Sequence, residues 1–219
     1  MVRAGAGLTV RLNRVLAPVT TLGPGRRVGV WMQGCTLACP GCASVDTWDP
    51  TGGFTTDLPA LVEALVERIR QDDLSGVTLT GGEPFQQAAA CAELLAQVVE
   101  TVARPLDVMV FTGYTYRVAA RISPALVGLA DGLICGRYRR EQAGSVLLLG
   151  STNQQIVWAN PDAEARFAAW RDTNPPRLEA MVDDQDVYLI GVPGPTDLDQ
   201  FSARLSARGV ELQTTSWGS

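Results

Sequence analysis

Apolar positions along this chain recur with two periods, and the switching between them sets out its organisation. Residues 8–16 (LTVRLNRVL) and 26–34 (RRVGVWMQG) alternate apolar and polar positions as half-buried strands do, with the turn-rich APVTTLGPG between them. Residues 57–73 then place Leu58, Leu61, Val62, Leu65, Val66 and Ile69 at helical spacing, with Pro59 in the first turn, which predicts an amphipathic helix. A short buried strand over 76–80 runs into Gly81-Gly82-Glu83-Pro84, and the next helix carries Cys91, Leu94, Leu95, Val98 and Val102 on one face. A strand over 106–111, a helix bearing Val118, Ile122 and Leu126, and strands over 132–135 and 154–158 continue the series. Such alternation predicts parallel βα units in an α/β fold.

Beyond this series, residues 160–176 are polar and proline-containing. DVYLIGVP, a helix over 197–208 and VELQTT then predict a terminal βαβ-like unit. The expected division is a core over 1–160 and a linker with a C-terminal βαβ-like extension over 161–219, packed on the same domain.

Composition narrows the chemistry. A net charge of -5, with all 18 positive charges supplied by scattered arginines, argues against a surface built for nucleic acid. No apolar run approaches the roughly 20 residues that span a bilayer, and MVRAGAGLTVRLNRV lacks the apolar stretch of a secretory signal, so a cytoplasmic protein with no membrane partner is expected. The absence of histidine and lysine excludes a Ser-His-Asp triad, a Cys-His pair, an imidazole metal ligand, a Schiff-base lysine and a Walker A loop.

Three of the five cysteines fall in GCTLACPGC, as Cys35, Cys39 and Cys42. Zinc would need a distant fourth ligand, Cys91 or Cys135. A thioredoxin-like pair, Cys39-Pro40-Gly41-Cys42, leaves Cys35 unexplained. A four-iron cluster on three thiolates keeps one iron open to an outside ligand, which a simple electron carrier does not need. Cys91, on an apolar helix face, reads as core. Cys135, at a strand end, is either a buried structural thiol or a thiol donor in radical catalysis.

A C-x3-C-x2-C segment after an early strand, followed by a strand running into GGEP, resembles the radical S-adenosylmethionine (SAM) superfamily. The resemblance implies a partial (β/α) TIM-like barrel and a 4Fe-4S cluster on Cys35, Cys39 and Cys42. It also implies SAM on the open iron, with the stretch Gly81, Gly82, Glu83, Pro84 receiving its amino group. The residues suit that role, since a carboxylate beside two glycines can receive an ammonium at close range.

Further stretches resemble one branch over roughly residues 8–158: GPGRRVGVWMQGCTLACPGC with Trp48, TGGEPF, FTGYTY, DGLICGRY and GSTNQQIV. They are similar to the activating enzymes of glycyl radical enzymes, most closely those of anaerobic ribonucleotide reductases. Where that branch has an aromatic residue after the third cysteine, this chain has Ala43, and its Asp-Gly-Pro-Phe-like stretch is Cys135-Gly136-Arg137-Tyr138.

This narrower resemblance implies reductive cleavage of SAM to a 5'-deoxyadenosyl radical, an electron from flavodoxin or ferredoxin, and hydrogen abstraction from a glycine of a partner enzyme. It places Thr112, Gly113 and Tyr114 along the SAM or substrate side, although a helix N-cap there is an equal reading. Ser151, Thr152, Asn153 and Gln154 would lie toward the adenosine of SAM. Arg137, Tyr138 and Arg139 either bind an acidic substrate or partner or are solvated. Two alternatives stay open: modification of a ribosomal peptide or small metabolite, and an electron-transfer iron-sulfur protein.

Overall fold

The sheet of the protein is open. A computed structural model describes residues 7–183 and 186–217; the first six residues of the N-terminal stretch considered above lie outside the described residues. Seven strands stand in the order β3-β1-β2-β4-β5-β6-β7. They are β1 (Thr9–Val19), β2 (Arg27–Met32), β3 (Phe54–Asp57), β4 (Gly76–Gly81), β5 (Asp107–Thr112), β6 (Gly132–Cys135) and β7 (Gln155–Trp158). The central four, β2, β4, β5 and β6, are parallel, whereas β1, β3 and β7 pair antiparallel at the two sides.

Connection length decides this pattern. The short turn from β1 to β2 permits only a hairpin, while α1 (Leu58–Gln71) and α2 (Ala88–Val102) are long enough to carry the chain back for the next parallel strand. The segment after β5 is broken at Pro124 into α3 (Tyr116–Ile122) and α4 (Pro124–Leu129), with the Ser123 hydroxyl capping the second helix by accepting from Leu126 N.

The partial TIM-like barrel is therefore corrected to an open mixed sheet. After β6 the chain returns antiparallel in β7 instead of adding a crossover helix and a parallel strand, so no parallel series continues toward closure. The terminal βαβ unit is corrected too. Strands β8 (Leu178–Val182) and β9 (Val187–Gly191) form an antiparallel hairpin, α6 (Asp197–Ser206) follows it, and residues 210–215 form no strand.

Strand pleating sorts the core into two faces. Val28, Val30, Met32, Val77, Leu79, Val108, Val110 and Leu133 pack in one cluster with Leu61, Leu65, Ile69, Leu94 and Val98 of the helices. Their alternates meet the C-terminal elements: Trp31 and Phe111 pack with Ile190 of β9, and Met109, Ile134 and Trp158 with Phe167 of α5 (Pro161–Asp172). Buried Arg27 reinforces the second face, paired with Asp107 at 2.7 Å, while Arg166 of α5 bridges Asp107 and Asp131.

The hairpin is fixed by one carboxylate. Glu179 accepts from the backbone N–H and hydroxyl groups of both Thr20 and Thr21, at 2.7–3.2 Å. Glu179→Ala leaves four donors without that acceptor and is expected to cost about 1–2 kcal/mol of hairpin docking. Limited proteolysis would then cut between β8 and β9 faster than in the parent chain while α1 and α2 stay protected.

Candidate active site

Parallel strands end on the same side, so the loops leaving β2, β4, β5 and β6 share one edge, where α/β sheets commonly place ligands. The cysteine loop leaves β2, the GGEP stretch leaves β4, the TGY stretch leaves β5, and residues 136–142 follow β6. The structure brings these four stretches together.

Glycine permits the closest of these approaches. Gly81 has φ +89°, and a Cβ on it would stand 2.7 Å from Met32 N; a Cβ on Gly82 would overlap the carbonyl oxygen of Gly34. The backbone of this turn is consequently bonded to the base of the cysteine loop, with Gly82 N donating to Met32 O and Glu83 N to Gly34 O, each at 2.9 Å. Gln86 adds a side-chain tie: its Oε1 accepts from Thr36 N at 3.1 Å and its Nε2 donates to Thr36 Oγ1 at 2.7 Å and to the Tyr114 hydroxyl at 3.4 Å. Leu37 lies against Gly113.

Cys35, Cys39 and Cys42 are free thiols, each partly buried. Burial pushes all three up from the ordinary thiol value, opposed by backbone N–H groups aimed at sulfur: those of Leu37 and Ala38 at Cys35, Tyr138 at Cys39 and Ser44 at Cys42. The Ser44 N to Cys42 Sγ distance is 3.4 Å. In the metal-free chain the thiols are protonated, and a metal must displace those protons. Among the described residues no three Cys, Asp or Glu side chains are gathered around the position of a single ion. A four-iron cube does not require that, since each thiolate takes a different iron. Three thiols on one short loop, with N–H donors directed at the sulfurs, fit such a cube.

Glu83 is almost fully buried, and no arginine is paired with it among the described residues. Its Oε1 accepts from Phe85 N at 3.0 Å and Thr112 Oγ1 at 2.8 Å, and its Oε2 from Gly113 N at 2.8 Å. Burial outweighs these bonds and pushes the carboxyl up to about 7. A carboxylate has roughly four acceptor positions, so three donors leave one of them unused. Pro84 begins a single helical turn behind it and is buried. Thr112 acts twice, donating to Glu83 and accepting from Tyr114 N at 3.1 Å.

The segment expected to face adenosine has its side-chain bonds within its own loop. Gln154 Oε1 accepts from Gly150 N and Ser151 N, its Nε2 donates to Gly136 O at 2.8 Å, and Asn153 Nδ2 donates to Arg137 O at 2.9 Å. Both amides hold residues 136–137 in place beside the cysteines. Between residues 37–40 and 137–141 lies a cleft of about 330 Å³.

Cys135 shares its pleat face with Leu133, so it points into the helix-side core, where burial, with a smaller effect of Glu83, raises its thiol to about 12. Cys91 is core, as expected, and lies 3.9 Å from the Met32 sulfur.

Several supporting residues escaped sequence reasoning. Gln33 is buried and donates to the carbonyls of Asp46 and Asp49; Gln87 Nε2 donates to Arg11 O and Gln33 O. The available signal was two glutamines directly after GGEPF, where a helix start has no intrinsic need of them. Ser216 carried no signal at all. Its carbonyl accepts from Val45 N at 2.8 Å and its Oγ donates to Ala43 O at 3.0 Å, so the tail straps the chain just after Cys42. Ending the chain after Gly209 removes two bonds of about 1 kcal/mol each and should speed hydrogen exchange at the Val45 amide on the order of tenfold.

Comparison with known proteins agrees with this geometry. Residues 21–157, more than half the chain, match the family described as a 4Fe-4S single cluster domain. An anaerobic ribonucleoside-triphosphate reductase-activating protein of Enterobacteria phage T4 is 30% identical over 143 residues, covering 64% of this chain and 88% of the relative. The protein of that name from Vibrio cholerae serotype O1 is 34% identical over 140 residues, covering 61% and 88%, and that from Haemophilus influenzae is 31% identical with the same coverage. The likeness to activating enzymes read from the motifs is borne out.

Proposed function

Since the chain belongs to the family of 4Fe-4S single-cluster proteins, we propose that it is a radical SAM activating enzyme that takes a hydrogen atom from a glycine of a partner glycyl radical enzyme. The observation that carries this reading is the meeting of the cysteine loop, the Gly81–Gly82–Glu83 turn and the Thr112–Tyr114 stretch at one sheet edge, tied by Gln86 and Glu83. In this reading Cys35, Cys39 and Cys42 hold the cluster. When bound, cluster and SAM together supply one-electron cleavage to methionine and a 5'-deoxyadenosyl radical.

The chain's own residues then have separable tasks. The glycines admit the amino group to the backbone, and Glu83 offers its remaining acceptor position to the ammonium, an interaction that draws the carboxyl back to its ionised form. Thr112 and the Gly113 N–H fix that carboxylate from below. Gln154 and Asn153 hold residues 136–137 along the cleft. Trp31 and Phe111, on the face opposite α1 and α2, are covered by the C-terminal hairpin, which keeps water from that side of the sheet.

The relatives carry the name of anaerobic ribonucleotide reductase activators, and that reductase is the proposed partner. The test is anaerobic incubation with SAM, reduced flavodoxin and the anaerobic ribonucleotide reductase of the same organism, followed by electron paramagnetic resonance. A glycyl radical doublet on the reductase is expected. SAM cleavage without that doublet, with or without a modified peptide, would remove this partner.

A further inference from the structure

We propose that residues 137–140 are the docking surface for the electron donor, a small acidic protein with a low-potential flavin or iron-sulfur centre. This rests on the reading of the cysteine loop given above. Arg137, Arg139 and Arg140 are all exposed, follow one another within four residues, and take part in no ion pair among the described residues. They rim the cleft whose other wall is residues 37–40, with Glu141 the single acidic residue there.

The contact with the cysteine loop is direct. Tyr138 and the stem of Arg140 lie over Gly41, as a Cβ there would stand 3.4 Å from Tyr138 Cε1 and 3.3 Å from Arg140 Cδ. Cys39 lines the same cleft as Arg137 and Tyr138.

Placement and sign select the partner. The chain as a whole carries -5, so three unpaired guanidiniums in one place are a local reversal of charge that orients an acidic partner here and repels it elsewhere. A pocket for a small anion would use buried, convergent groups; these arginines are exposed and spread along the rim, as suits steering of a transient encounter. Electron transfer needs no insertion into the cleft. One electron would leave the donor, oxidising it, and reduce a cluster held by the cysteine loop, with no bond made or broken. The loop is a rigid platform because Gln154, Asn153 and Ser151 fix its backbone.

The test is a binding titration of the full chain with oxidised flavodoxin at low and high ionic strength, which involves no turnover. Arg137→Glu, Arg139→Glu and Arg140→Glu together are expected to weaken Kd by tenfold or more at low salt and to flatten its salt dependence. Reversal of exposed Arg204 and Arg208 should leave Kd unchanged. In kinetics, the triple variant should be reduced slowly by flavodoxin hydroquinone and at the parent rate by the methyl viologen radical cation, which needs no basic surface. An unchanged Kd in the triple variant would overturn the proposal. So would an unchanged Kd together with lost binding of the ribonucleotide reductase, which would give the patch to that partner. Iron analysis of the parent chain reports separately on the cluster, and the titration holds with or without it.

Discussion

Replacing Cys35, Cys39 or Cys42 by alanine, one at a time, is expected to abolish cluster assembly and with it SAM cleavage, whereas Cys91→Ala should retain both. The asymmetry follows from position. The three loop thiols are partly exposed, lie on one short segment, and have backbone N–H groups directed at their sulfurs. Cys91 is sealed in the helix-side core, and its loss removes little more than a small apolar side chain, at a cost of about 1 kcal/mol. With only three thiolates available on the loop, each loss opens a second iron, and no histidine exists to replace it. The measurements are iron and sulfide per chain after anaerobic reconstitution and the thermal midpoint of the metal-free variants. The loop variants should lose iron but keep the midpoint, and Cys91→Ala should do the reverse.

Glu83→Gln is expected to weaken SAM binding by about tenfold to a hundredfold, the range of about 1.5–3 kcal/mol for a hydrogen bond to a charged group. The amide cannot offer an ionised acceptor, and its NH2 faces either the Gly113 N–H or the donors from Phe85 and Thr112. The same residue sets a pH dependence. In the ligand-free chain burial raises its carboxyl from 4.5 to about 7, so the folded state binds the proton more tightly than the unfolded state does. Its contribution to stability is full below pH 4.5 and is lost as pH rises to about 7. SAM binding runs the other way, strengthening toward pH 7 because the ammonium selects the ionised form. Denaturant midpoints across this window should fall in the parent and stay flatter in Glu83→Gln.

The central βα series was legible because two local signals agreed. Val77 and Leu79, or Val108 and Val110, are apolar at strand spacing and are bounded by glycine or proline, and the six apolar positions of α1 all proved buried. What failed was orientation. Nothing in QQIVW says that β7 returns antiparallel, because a short apolar strand reads alike in either direction and the connection before it carries no helix long enough to decide. Strand β3 was missed since Phe54–Asp57 is short and mostly exposed, and its pairing with β1 supplies the order that its own sequence lacks.

In the site, the cysteines and Gly81–Glu83 stood out in the sequence because chemistry restricts what can stand there. Gln86 and Ser216 were not, since their roles arise from partners 50 and 173 residues away. Cys135 shows the same limit in reverse. Its place at a strand end left both a buried structural thiol and a cavity-facing thiol open, and the pleat relation to Leu133 puts it in the core.

The most direct measurement is chromatographic detection of 5'-deoxyadenosine after the chain is reconstituted anaerobically with iron and sulfide and given SAM and dithionite. The account predicts its formation by the parent chain and its absence with Cys35→Ala. A well-formed cluster in the parent that yields no 5'-deoxyadenosine, and whose spectrum does not respond to SAM, would contradict it and leave an electron-transfer protein in its place.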